Sequence, residues 1–137
     1  METRLYNAVE QRVKAAADVG AGHFELLRHV RDHPDARVAD LATTFAIGVG
    51  TTSKIVDRLE TQGWVERRPN PANRRSSLLA LTPLGESVVS RAEPAWQAAL
   101  QEILGGALAP EELTALSQAL DALRSDFERR HLGLPAG

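Results

Sequence analysis

A chain of 137 residues, 43% apolar and 25% charged, can build one core of ordinary size and a soluble surface. It has no cysteine, which excludes disulfides, thiolate metal centres and thiol redox sensing. The net charge of −2 is unevenly spread: residues 53–77 hold six basic side chains against three acids, whereas residues 91–130 hold four against seven. A basic module joined to an acidic one suggests a polyanionic partner for the basic part.

Leu5, Val9, Val13 and Ala16 recur at helical spacing and predict a first helix over roughly residues 3–17. The two glycines in Asp18–Gly22 break it. A second helix follows, with Phe24, Leu26, Leu27 and Val30 on its apolar face, and stops before Pro34. Val38, Leu41, Ala42 and Phe45 predict a short third helix over 38–45, with Ala46–Ile47–Gly48 as a turn. A fourth helix from about Val49 to Gln62 buries Ile55, Val56 and Leu59, and Gly63 is suited to a left-handed stop.

The period then changes from helical to extended. Trp64–Arg68 and Ser77–Leu81 predict two strands joined by the Pro69–Asn73 turn segment and the Arg74–Arg75 pair. Thr82–Pro83 supplies an N-cap and a proline at the first helical position. A long fifth helix follows, with Leu84, Val88, Ala92, Ala95, Ala99, Leu100 and Ile103 expected inward and Gly105–Gly106 as its end. A sixth opens at Pro110–Glu112, and Leu113, Leu116, Leu120, Leu123 and Phe127 form a packing seam along it.

Two short helices with a sharp corner, followed directly by an arginine-bearing hairpin, make a winged helix-turn-helix. The fold class is therefore mainly α with a small β-hairpin: a winged helix-turn-helix plus a helical dimerisation lobe. The second helix of the pair can project into a major groove, while the hairpin tip reaches the adjacent minor groove, where arginine is favoured. Of the six aromatic residues only Trp64 lies among the basic ones, which argues against single-strand recognition by base stacking.

The run LATTFAIGVGTTSKIVDRLETQGWVERRPNPANRRSSLLALTPLGE, from Leu41 to Glu86, resembles the core of the MarR family of bacterial transcription regulators. Val56–Glu60, Gly63–Arg67, Asn73–Arg75, Leu79, Leu81–Thr82 and Gly85 carry the resemblance most specifically. It implies one domain over 1–137, with the winged helix-turn-helix core at about 22–82 and dimerisation helices at about 3–17 and 83–130. It further implies a homodimer that straddles a pseudo-palindromic operator on double-stranded DNA, represses nearby genes, and is released by a small-molecule effector of unknown site. Four positions depart from the family pattern. Asn73 replaces an aspartate of the wing, Gly48 replaces a capping Ser or Thr, and Val49–Gly50 replaces a polar or basic pair. The first helix also starts late.

The DNA-binding residues expected on these grounds are Gly50, Thr51, Ser53, Lys54, Arg58, Arg74 and Arg75. Thr51, Thr52 and Ser53 fit either ordinary first-turn positions or donors to phosphates and base edges, and Thr52 is expected to face inward. Gly50 within a helix costs about 1 kcal/mol relative to alanine, which suggests a close backbone approach there. For the charges, the competing reading is a solvated face: Arg67 pairing across the hairpin, Arg58 pairing with Glu60 or Glu66. Glu25, His29 and His33 have metal-ligand spacing but fall on the outer side of their helix, so they are read as solvated, and His23 as a core histidine. Trp96 is expected to pack at the base of the DNA-binding lobe.

No Ser-His-Asp set, phosphate loop or paired carboxylates point to catalysis, so neither an enzyme nor a cofactor or metal is expected. No apolar run approaches a membrane span, and Met1–Arg4 does not open a signal peptide, so a cytoplasmic protein is expected. The alternative is a winged helix used as a protein-interaction module without DNA binding.

Overall fold

Helix periodicity and capping chemistry account for most element boundaries in the computed structural model, which describes residues 2–135. The elements are α1 (Thr3–Ala17), α2 (Ala21–Asp32), α3 (Val38–Phe45), α4 (Val49–Thr61), β1 (Val65–Pro69), β2 (Ser77–Leu81), α5 (Pro83–Ala107) and α6 (Pro110–Arg129). α1 turns Val9, Val13 and Ala17 into the core; Ala16, expected inward, is exposed because the stripe steps by four residues each time. Its Glu10 carboxylate accepts the Ala21 N–H at 3.2 Å, so a side chain of α1 satisfies an orphan donor at the start of α2. At the start of α3, Asp40 accepts the Arg37 backbone N–H at 2.9 Å.

The α3–α4 corner closes on Ala46, whose backbone is left-handed (φ 52°). Thr52 is fully buried, as expected, and its hydroxyl donates to the Gly48 carbonyl at 2.8 Å. Gly63 ends α4 with φ 81°, the left-handed conformation expected for it. β1 and β2 pair antiparallel from Val65↔Leu81 to Pro69↔Ser77. The first strand thus lies one residue later than Trp64–Arg68. Pro69 is tolerated because a two-stranded sheet leaves each strand an unpaired edge. Leu79 N–H donates to the Ala36 carbonyl at 2.7 Å, tying the hairpin to the α2–α3 connection.

Two expectations for α5 fail. The helix continues through Gly105 and Gly106 to Ala107, and neither glycine takes a positive φ. Glycine lowers helix stability without stopping the helix unless it turns left-handed. The stop comes instead where Ala109, restricted to extended backbone by Pro110, follows Leu108 (φ −127°, ψ 143°). Leu84 is 51% exposed, because the buried stripe of α5 is Gly85, Val88, Val89, Ala92 and Ala99 and Leu84 lies off it.

α1 packs along α5, with Arg12 bidentate to Glu102 at 2.9 and 3.1 Å on the exposed rim. Phe24 and Trp96 meet with ring centroids 5.3 Å apart, and the Arg28 guanidinium lies over both rings. Trp96 thus packs where α5 crosses the winged helix. No residue of α6 is buried, and Leu116, Leu120, Leu123 and Phe127 are 42–56% exposed along one seam.

The second helix is buried more widely than its apolar pattern suggests. Phe24, Leu26, Leu27 and Val30 are buried as expected, but Glu25 and His29 are half-buried rather than on a wet outer face. His29 and His33 stack at 3.9 Å, and His29 meets the edge of Phe45, so the pair links α2 to α3. No group of three or more His, Asp or Glu side chains is arranged to hold a metal among the described residues.

Gly85 sets a strict packing limit. A Cβ there would lie 2.0 Å from the Trp64 carbonyl oxygen, which is backbone and cannot rotate away. Gly85→Ala is therefore expected to destabilise the fold by about 3 kcal/mol, the upper range for overpacking, measured by thermal or denaturant unfolding. A wild-type midpoint would show that α5 can shift freely. Histidine titration gives a second expectation. His23 is held below the ordinary histidine value first by burial and then by Arg58, and His29 first by burial and then by His33. Such groups bind protons better when unfolded, so the stability they support is complete above about pH 6.5 and falls as pH drops through their lower folded values. Glu25, raised by burial, acts in the opposite direction at more acidic pH. The melting midpoint is expected to fall from pH 7.5 to 5.5, and to fall less in a His23→Gln/His29→Gln double variant.

Candidate nucleic-acid interface

The exposed face of α4 is set by what the helix buries. Thr52, Val56 and Leu59 turn inward, leaving Gly50, Thr51, Lys54, Asp57, Arg58 and Thr61 outward, with Ser53 half-buried at the edge. No acid occupies the first turn of α4, so the positive end of its dipole is uncompensated beside Gly50 and Thr51. Around Gly50 there is open space: nothing lies within 4 Å of the position a Cβ would take. The close approach suggested by that glycine is therefore not to another part of the chain.

Acidic neighbours divide the basic residues into two groups. Arg67 bridges Asp57 at 2.8 Å and Glu60 at 2.9 Å, bonding β1 to α4 rather than pairing across the hairpin. Arg68 pairs with Glu66 at 2.6 Å. Lys54, Arg58, Arg74 and Arg75 have no carboxylate partner among the described residues. The pairing of Arg58 with Glu60 or Glu66 that the sequence left open does not form, because Arg67 takes Glu60 and Arg68 takes Glu66. Arg58 instead acts on half-buried His23, behind it on α2, where its charge helps hold the imidazole neutral.

The wing tip is built from side-chain amides. Asn70 accepts the Ala72 N–H at 3.0 Å and donates to Ser76 Oγ at 2.9 Å, while Asn73 Oδ1 accepts the Arg75 N–H at 3.0 Å. Asn73 therefore organises the loop through the backbone and leaves both guanidinium groups unpaired. An aspartate at the same position would have offered those groups a counter-charge.

Between the wing, α3 and α4 runs a cleft of about 440 Å³ whose lining includes Arg37, Val49, Ser53, Arg67, Asn73 and Arg75. Arg37 was not picked out by sequence reasoning. Its only sequence signal is its place at the N-terminus of the first helix of the pair, where a cation is unusual.

Four of the seven expected residues thus project as unpaired cations from two adjoining elements, with Gly50, Thr51 and Ser53 beside them on α4. A convex, cationic helix face next to a cationic hairpin suits a grooved polyanion. No helix among the described residues is long and apolar enough to cross a membrane.

Residues 21–77 match the model of the MarR family. The multiple antibiotic resistance protein MarR of Salmonella typhimurium is 28% identical over 103 residues, covering 75% of this chain and 72% of that protein. A Streptomyces coelicolor MarR family transcriptional regulator, solved in complex with DNA, superposes with a TM-score of 0.83 at 25% identity, covering 91% of this chain and 80% of its own. A mutant MarR from Escherichia coli, solved with operator DNA, shares the fold with a TM-score of 0.81 at 24% identity, covering 88% of this chain and 86% of its own. The match over residues 21–77, the related regulators and the shared architecture agree in one likeness: this chain is similar to the MarR family of transcriptional regulators.

Proposed function

We propose that this protein is a sequence-specific, double-stranded-DNA-binding transcriptional regulator that works as a two-fold homodimer and represses its targets. The observation that carries the reading is the set of unpaired cations on α4 and the wing: Lys54, Arg58, Arg74 and Arg75. DNA complexes of the related regulators support it. On this reading α4 enters the major groove. Gly50, Thr51, Ser53 and Lys54 lie at its front near base edges, Arg58 meets the flanking backbone, and Arg74 and Arg75 serve the wing. Gly50 lets the helix backbone come closer to DNA than a side chain would allow. A protein-interaction module would more often present an apolar surface here, and apart from Val49 the exposed face of α4 is polar, with Lys54 and Arg58 unpaired.

Residues 22–82 would form the DNA-binding core, and helices over 3–17 and 83–130 the dimerisation lobe. The unburied seam of α6 is the surface that needs a partner. A small-molecule effector would act between the two parts, weakening DNA binding only by its unequal affinity for the two wing spacings, typically about 1–3 kcal/mol.

The test of function is selection of a preferred duplex from a random DNA pool; no enriched site would favour the interaction module. Light scattering is expected to report a dimer at micromolar concentration. The selected site is expected to be a pseudo-palindrome with half-sites roughly 10 base pairs apart, one turn of about 34 Å; a monomer on and off DNA would refute this. Two substitutions separate reading from holding. Lys54→Ala is expected to weaken the best site more than random DNA, by about 1–3 kcal/mol per half-site. Arg75→Ala is expected to weaken all duplexes and, at about 0.9 per phosphate on each of two wings, to flatten the slope of log K against log salt by about 1.8. Anisotropy titrations at several salt concentrations measure both, with Arg74→Ala alongside, and an unchanged affinity and slope in both arginine variants would remove the wing from the contact.

A further inference from the structure

The proposed function leaves one strand of the duplex without a binding partner. If α4 occupies a major groove and the wing the adjacent minor groove, a single sugar-phosphate strand must pass between them, because that strand separates the two grooves. The space available to it is the cleft of about 440 Å³ between wing, α3 and α4. Its cations are Arg37 at the N-cap of α3, Arg67 from β1 and Arg75 from the wing, with Ser53 from α4 as a hydroxyl. Arg67 is committed to Asp57 and Glu60. Arg75 is unpaired. That leaves Arg37 as the second cation able to meet the strand.

Arg37 is held only loosely. Its guanidinium reaches Asp40 at 3.3 Å and 3.2 Å, and the two side chains are 46% and 42% exposed. A half-exposed pair of that length adds little to stability. The fold needs Asp40 for a different bond, its 2.9 Å acceptance of the Arg37 backbone N–H, which persists when the guanidinium leaves. A phosphate offers a guanidinium the same two-oxygen geometry as a carboxylate. We propose that Arg37 and Arg75 grip neighbouring phosphates of one DNA backbone strand in this cleft, one each, Arg37 being transferred to its phosphate from Asp40. The inference rests on the DNA-binding reading and adds to it a residue outside α4 and the wing. Asp40 then acts as a positioning residue: it keeps Arg37 at the cleft mouth in the free protein and competes with DNA for it.

Duplex affinity measured by anisotropy over a range of salt concentrations, for wild type, Arg37→Ala, Asp40→Asn and the double variant, tests this. Asparagine at 40 can still accept the backbone N–H, so the cap of α3 is kept, and melting curves check that each variant folds. Arg37→Ala is expected to weaken all duplexes alike and to flatten the salt slope by about 1.8 per dimer. Asp40→Asn is expected to tighten binding in the wild-type background and to have little effect once Arg37 is removed. That dependence separates release of Arg37 from simple removal of a negative charge near DNA. Wild-type binding with an unchanged Arg37→Ala overturns the clamp alone. An Asp40→Asn gain that persists undiminished in the double variant overturns the transfer. Failure of the wild type to bind any duplex overturns the DNA-binding reading and the clamp with it. Inorganic phosphate that raises the melting midpoint only when Arg37 is present, with duplex affinity independent of Arg37, would overturn the clamp and assign the cleft to a free anion.

Discussion

The close backbone contact between Gly85 and Trp64 is the constraint on which the arrangement of this molecule depends. Thr82 donates its N–H to the Trp64 carbonyl at 3.0 Å and its hydroxyl to the Gly63 carbonyl, while its Oγ1 accepts the Gly85 N–H at 3.0 Å. The end of α4, the start of β1 and the start of α5 therefore meet at one point, with no side chain between Gly85 and the Trp64 backbone. Because protein interiors respond to overlap by shifting rather than compressing, any change at this point would be felt along the whole of α5. The direction of α5 in turn fixes where α1 and α6 stand relative to the wing. In the proposed dimer, the spacing of two wings would be set at this junction, and an effector would have to work on it.

Electrostatic bookkeeping within the winged helix then decides which charges remain for a partner. Asp57 and Glu60 project from α4 toward the hairpin and take up Arg67; Glu66 takes up Arg68. The Arg67 pairs brace hairpin against helix, whereas the Arg68–Glu66 pair stays within β1. Lys54, Arg58, Arg74 and Arg75 lie beyond the reach of those acids, so from α4 through the hairpin the unpaired cations are those on the α4 face and at the wing tip. Asn73 contributes by shaping the tip through the Arg75 N–H rather than neutralising a guanidinium. The result is a positive surface on a chain whose net charge is −2. The acids that balance it lie largely on α5 and α6, away from the wing, where Glu102 and Glu93 hold Arg12 and Arg31.

α6 shows the opposite economy: twenty helical residues with none buried. A leucine seam of that length left in water is unfavourable by roughly 25 cal/mol for each Å² of apolar surface, and isolated helices gain little stability from propensity alone. Packing against a second copy would remove the penalty. That physical need is what supports the dimerisation lobe proposed above.

Much of this was legible in the sequence, because local rules governed it. The 3.6-residue period located α1 through α4, Gly63 was placed by its need for a left-handed turn, and Thr82–Pro83 announced α5 through capping chemistry. The family resemblance over Leu41–Glu86 reached the winged helix. Tertiary structure decided what depends on neighbours distant in the chain. Gly105–Gly106 did not end α5, since a glycine stops a helix only where the chain turns left-handed, and Pro110 set the end instead. Glu25 and His29, expected on the wet outer side of α2, proved half-buried, His29 against Phe45 of α3, a contact between elements that a helical pattern cannot anticipate. Which arginines are free depended on Asp57 and Glu60 reaching Arg67 across two elements, and Arg37 became a candidate only when folding brought it to the same cleft as Arg75. Sequence alone determined the elements and their caps, since these rest on contacts within a few residues. Charge pairing and the shape of the cleft were left to the tertiary fold, because their partners lie on different elements and only packing brings them within reach.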